Sequence, residues 1–223
     1  MRWLSSSVPP RPVPRRRPLI GFWFLLLLAA PASAACDSTE TCLAAIDAVQ
    51  AGTQTLTARF TQTKHVSLLD EPIVSTGRFA FKRPDRVRLD IETPHAATVL
   101  VNGRQVSIPG LSDAERQQLA MGPMAAMFAE FGAMFSGSRA ALSKNFEVVA
   151  QPAEGGIAMT LTPTLPEWQR LFRTIALRFS GPDLVMHSMR LDDALGDRLE
   201  IVMTDVQRNA DLPDTLFTIP PSP

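Results

Sequence analysis

Three histidines and two cysteines are the residues best able to carry chemistry in this chain. His65, His95 and His187 are isolated and form no ligand cluster in the sequence. The nucleophile-elbow pattern G-x-S-x-G, the phosphate-loop pattern and H-E-x-x-H are all absent. Asp192-Asp193 with Asp197 has the composition of a cation loop, but hairpin turns collect Asp and Gly for their own backbone reasons, and a plain turn is the reading taken. There is no tyrosine, and Trp168 is the only tryptophan beyond residue 35, so aromatic platforms for sugars or bases are thin. The polar groups therefore point to a protein that is not an enzyme and has no metal or cofactor site.

The elements that would position any site begin after a sharp change in composition. Residues 1–18 hold five arginines and no acid, Leu19 to Ala30 is apolar apart from Gly21, and Pro31-Ala32-Ser33-Ala34-Ala35 supplies small residues. This order is that of a secretory signal peptide over residues 1–35. The apolar run is shorter than the ~20 residues a spanning helix needs. Without those five arginines, the 22 Lys+Arg fall to 17 against 22 Asp+Glu, a net charge of −5 for residues 36–223. A mildly acidic chain argues against nucleic acid as a partner. An exported protein of this kind would reside in the periplasm.

Cys36 and Cys42 follow the expected cleavage site directly. Paired cysteines in an exported chain suggest a disulfide. Lipidation of Cys36 is the alternative, but Ser33 stands where lipidation signals usually carry Leu.

Apolar spacing predicts a helix over Thr41–Ala51, with Leu43, Ile46 and Val49 on one face, capped by Ser38 or Thr39 and stopped by Gly52. The period then changes to two. Strands are expected at Thr76–Lys82 and Arg86–Glu92 around the turn Pro84-Asp85, and at Ala97–Val101 and Gln105–Ile108 around Asn102-Gly103. Further strands follow at Phe146–Ala150, Ile157–Leu161, Arg173–Phe179, Leu184–Leu191 and Arg198–Thr204. One face of this meander is apolar and the other charged, which suggests a single curved antiparallel sheet whose apolar face must be covered. The natural cover is the segment 114–136, where Met124, Met127, Phe128, Phe131, Met134 and Phe135 follow helical spacing. Such a stripe is commonly plain core. Its four methionines within 14 residues also suit an adaptable apolar lid.

The order of these pieces resembles the LolA family of periplasmic outer-membrane lipoprotein carriers. The resemblance rests on Phe60-Thr61-Gln62, then Gly77-Arg78-Phe79-Ala80-Phe81-Lys82-Arg83-Pro84, Pro94 and Asn102-Gly103. It continues in Leu161-Thr162-Pro163, Gly196-Asp197, and Asn209 through Leu212-Pro213-Asp214 to Phe217. It implies a mainly β (α+β) domain over 36–223, a half-open antiparallel β-barrel with a helical lid over an apolar cavity. Phe79, Phe81, Val87, Leu89 and Ile91 would line that cavity from the sheet, and Met124, Met127, Phe128 and Phe131 from the lid. In the family the arginine of the K/R-R-P motif latches barrel to lid; the matching residue is Arg83. The implied partners are lipoprotein or lipid cargo, an inner-membrane donor complex and an outer-membrane acceptor, with the carrier itself a monomer. Val87 and Leu89 replace aromatics of the better-known carriers, and Ile108-Pro109 replaces an aromatic-proline pair. These departures leave open a different lipid cargo, such as a polyene pigment or glycolipid, or a non-carrier sensor or assembly module on the same fold.

Overall fold

In a computed structural model, residues 36–103, 105–108 and 143–218 are described. The expected leader and the expected lid segment with Met124, Met127, Phe128 and Phe131 lie outside these residues.

Helix α1 spans Thr39–Ala51, beginning two residues earlier than apolar spacing predicts. Ser38 sets the start. Its hydroxyl accepts from the Thr41 N–H at 3.2 Å, and the Thr41 hydroxyl accepts from the Ser38 N–H at 3.0 Å. This reciprocal box satisfies two donors that a helix start leaves without partners. The buried side of α1 carries Cys42 and Ile46, and Cys42 is bonded to Cys36, so the expected disulfide is present. Gly52 ends the helix with φ −82°, in the right-handed region rather than the left-handed one that a terminal glycine usually adopts. The carbonyls of this end are satisfied in another way, described below.

Among the described residues, ten strands form one antiparallel sheet: β1 Thr55–His65, β2 Ile73–Lys82, β3 Arg86–Thr93, β4 Ala97–Asn102, β5 Gln105–Ser107, β6 Phe146–Ala153, β7 Gly156–Pro163, β8 Phe172–Ser180, β9 Val185–Asp193 and β10 Arg198–Arg208. Their order is β5-β4-β3-β2-β1-β10-β9-β8-β7-β6. The first and last strands of the meander thus meet at its centre. β5 and β6 end the sheet, so the barrel is open, not closed.

Sequence patterning missed β1, although it pairs with both β2 and β10. Leu56, Ala58 and Phe60 alternate inward, but the next inward positions, Gln62 and Lys64, are polar. That change hides the strand from a two-residue period. A short helix α2, Pro166–Gln169, was also not foreseen. Its buried Trp168 lies between Phe146 and Phe172, with ring centroids at 5.6 and 5.9 Å.

The sheet curls around one apolar core that includes Val99 and Val101 of β4, Phe146 of β6 and Ile46 of α1. The convex side is covered in part by the C-terminal segment. Phe217 and Leu100 are buried there, the Arg88 guanidinium donates to the Leu216 carbonyl at 3.0 Å, and Lys82 donates to Leu212 O at 2.6 Å. Asp214 receives both Lys82 and Arg86, at 2.7 and 2.9 Å.

Candidate binding cavity

Alternation decides what faces the hollow of the curled sheet. On β3, Val87, Leu89 and Ile91 point inward while Arg88 and Asp90 form a 2.7 Å ion pair outside. On β10, Leu199, Ile201 and Met203 point inward. On β9 the register slips between Arg178 and Phe179 of β8, placing Met186 and Met189, three residues apart, on the same inner face. With Phe60, Phe79, Val99 and Phe172, these side chains line a cavity of about 460 Å³. Its size falls in the range of small-molecule sites, about 300–1,000 Å³. The described wall is almost wholly apolar, and its three methionines make it deformable.

Gln62, Lys64, Asp193, Asp197 and Arg198 form the polar margin of this cavity. They stand where β1, β9 and β10 reach their turns, which defines a mouth at that end of the half-barrel. The carboxylates of the margin are already engaged. Asp193 Oδ1 accepts from the N–H groups of Leu195 and Asp197, both at 2.8 Å. Asp197 accepts from the Ser67 N–H at 2.9 Å, and this bond, helped by the Ser67 hydroxyl and by Lys64, holds its carboxyl below the ordinary value. Burial pushes Asp192 up, yet Arg190 and Arg198 outweigh it and keep it low. The aspartates are therefore turn and ion-pair groups, as the plain-turn reading expects. No cluster suited to a metal ion occurs among the described residues.

Of the residues implied by resemblance, Phe79, Val87, Leu89 and Ile91 border the cavity. Phe81 shares their face but sits deeper: it is 1% exposed, at the opposite end from the mouth, among Val49 and Gln50 of α1 and Leu184 and Met186. Helix α1 covers that end and takes Phe81 into the packed core.

Arg83 lies in the turn after β2, at the same covered end. Its Nε donates to the Thr53 carbonyl and its Nη2 to the Gln50 carbonyl, both at 2.6 Å, while its own N–H donates to Gln54 O at 2.9 Å. Arg208, at the end of β10, donates to Val49 O at 2.9 Å and to the Thr53 hydroxyl at 2.9 Å. Asn209 Nδ2 donates to Gly52 O at 2.9 Å, and its Oδ1 accepts from the Gln54 N–H at 2.7 Å. Two guanidiniums and an amide thus bond, from the sheet, the last carbonyls of α1 and those of the two residues that follow it. The two guanidiniums also place positive charge at the negative end of a helix whose own last turn has no basic residue. Asn209 was visible in the family pattern; nothing in the sequence marked Arg208.

Among the described residues the molecule is an open antiparallel half-barrel around an apolar cavity whose margin aspartates are engaged in turn bonds and ion pairs. The chain matches the family model described as "Outer membrane lipoprotein carrier protein LolA" over residues 51–220, and it belongs to that family. The family's carriers are non-enzymatic. The chain is similar to an outer-membrane lipoprotein carrier protein of Methylibium petroleiphilum, 28% identical over 201 residues, covering 89% of this chain and 93% of that one. A carrier protein of the same name from Dechloromonas aromatica is 32% identical over 171 residues, covering 76% of this chain and 78% of that one. With the carrier of Chromohalobacter salexigens, 27% identical, the alignment spans 65% of that protein's length. Among solved structures, a LolA superfamily protein from Nitrosomonas europaea matches 82% of this chain and 98% of its own, with 12% identity and a TM-score of 0.45.

Proposed function

We propose that this protein is a periplasmic carrier that takes acyl chains of lipoproteins into its cavity and moves them towards the outer membrane. The observation that carries the reading is the cavity of about 460 Å³, whose lining among the described residues is apolar apart from the polar groups at its mouth. An acyl chain transferred into such a site gains ~0.8 kcal/mol per buried CH₂, so affinity needs no catalytic or charged group. The family relationship supports the same role, with residues 1–35 as the export signal and a donor and an acceptor at the two membranes as partners. No helix among the described residues is long and apolar enough to cross a membrane.

Native mass spectrometry of the protein recovered from the periplasm tests this. Acylated peptide or lipoprotein on the wild-type chain, lost in Leu89→Asp, is the expected result. A free lipid such as a polyene or glycolipid in its place would reassign the cargo. A bare mass under conditions that preserve known lipid complexes would count against carriage altogether.

A further inference from the structure

Large apolar side chains on the outside of this molecule are not scattered. Of the seven exposed ones among the described residues, five (Leu68, Leu69, Ile73, Val74 and Leu195) lie in or within two residues of just two turns, β1–β2 and β9–β10. Isolated exposed leucines are ordinary; a concentration at one end is not.

Both hairpins turn at the mouth. β1 and β10 are neighbours, with His65 paired to Arg198 as their last partners. Beyond that pair the two turns are tied together: Ser67 donates to Asp197 Oδ1 through its N–H at 2.9 Å and its hydroxyl at 3.1 Å. Leu68, 92% exposed, follows Ser67 directly, and Leu195, 85% exposed, sits two residues before Asp197. The β9–β10 turn needs no leucine. Its shape is set by Asp193, which accepts from Leu195 and Asp197, by Gly196 at φ +99°, and by Arg173, which donates to Ala194 O at 3.2 Å. Position 195 would accept Ser or Asn on backbone grounds. Instead a rigid turn holds an aliphatic side chain in water, just outside the polar margin of an apolar cavity.

We propose that these two clamped tips form a membrane-docking surface, with Leu68, Leu69 and Leu195 entering the headgroup–acyl boundary and bringing the cavity mouth to the bilayer. The occupant is a lipid surface because the exposed leucines sit on two tied turns beside the mouth of an apolar cavity, where an acyl chain would have to enter. Charge sets the lipid preference. Asp70 and Glu71 follow the leucines, and Arg198 is engaged with Asp192 at 2.9 Å, so the tip has no basic excess to favour anionic headgroups. Attachment is hydrophobic, weak and reversible, as a shuttle between two membranes requires.

Flotation of the periplasm-recovered protein with phosphatidylethanolamine/phosphatidylcholine vesicles tests the surface. The wild type should float, should do so equally after a fraction of phosphatidylglycerol is added, and should stay bound in high salt. Each Leu→Ser change at 68, 69 or 195 should lower partitioning about tenfold. Leu195→Trp supplies a direct probe, since Trp168 is buried. Its emission should shift to the blue with vesicles and be quenched by bromine on the lipid acyl chains. Unchanged Leu195→Trp emission, or a triple Ser variant that melts normally and floats like the wild type, would overturn the proposal. Salt-released binding that requires anionic lipid would overturn it as well. The surface is independent of what fills the cavity: a protein that floats but yields a bare mass would refute carriage and leave docking standing, and one that carries lipid but never floats would do the reverse.

Discussion

The Arg83 guanidinium and the Gln50 carbonyl are joined at 2.6 Å, so the turn after β2 grips the last turn of α1. With Thr53 O as a second acceptor at 2.6 Å, one side chain couples the sheet to the helix that closes the end away from the mouth. A planar guanidinium can serve two divergent carbonyls at once, which an ammonium on a flexible stem does less well.

Arg83→Leu should therefore cost about 1–3 kcal/mol in thermal or urea unfolding, the value of charge-assisted bonds partly screened by solvent. Circular dichroism should still report a folded sheet. If Arg83 also serves as the latch that the family resemblance implies, release of bound cargo to acceptor vesicles should change in rate. Unchanged release with lowered stability would confine Arg83 to a structural role. Arg83→Lys should restore less than half of the lost stability.

Gly77 stands opposite Phe60 across β1 and β2. A Cβ at this position would meet the Asp90 carbonyl, which is backbone and cannot swing aside, and would press on the Phe60 ring at 2.8 Å. Gly77→Ala should destabilise by about 1–3 kcal/mol, as overpacking does. Because Phe60 lines the cavity, it should also weaken binding of an environment-sensitive apolar dye. Lowered stability with unaltered dye affinity would show that the strands, rather than the ring, absorb the added carbon.

The Cys36–Cys42 bond closes a loop of only a few residues, and its loss in a Cys36→Ser/Cys42→Ser variant should cost about 2 kcal/mol. For a domain of this size that corresponds to a fall of about 4–8 °C in Tm. Mass spectrometry of the exported wild type should find both cysteines oxidised. An acyl adduct on Cys36 would instead establish lipidation.

Acid should loosen the outer face of β3. Burial pushes the Asp90 carboxyl up, but the bonds from Arg88 at 2.7 Å and from the Thr98 hydroxyl at 2.8 Å outweigh it and hold it below the ordinary value. A group whose pKa is depressed by folding stabilises fully above its unfolded value, about 3.9, and loses that contribution as pH falls through the lower folded value. Asp90→Asn should thus be less stable than wild type at neutral pH, with the gap narrowing below about pH 4. A gap constant across that range would mean that the carboxylate's charge is not what stabilises the strand.

Much of this molecule is determined locally and was legible in the residues alone. The alternation of Val87, Leu89 and Ile91 with Arg88 and Asp90 fixes which face of β3 is buried, because successive side chains point to opposite sides of a strand. The Asn102-Gly103 turn marks a hairpin because Gly103 takes positive φ, which glycine adopts without steric cost. Ser38 marks the start of α1 because its hydroxyl has an N–H to satisfy.

What local pattern could not settle is which distant segments meet. β1 has polar residues at inward positions, Gln62 and Lys64, because those positions are the cavity mouth rather than the core; period alone therefore gave no strand there. Phe81 has the same alternation as Phe79, and only the docking of α1 separates a core residue from a lining one. Arg208 has no local signature because its acceptor, Val49 O, lies 159 residues away. The exposed leucines at 68 and 195 belong to separate turns until the pairing of β1 with β10 and the Ser67–Asp197 bonds bring them to one rim. Local chemistry determined most of the strands and their turns; long-range pairing decided β1, the cavity, its mouth and the grip on α1, since those depend on backbone partners that no window of sequence contains.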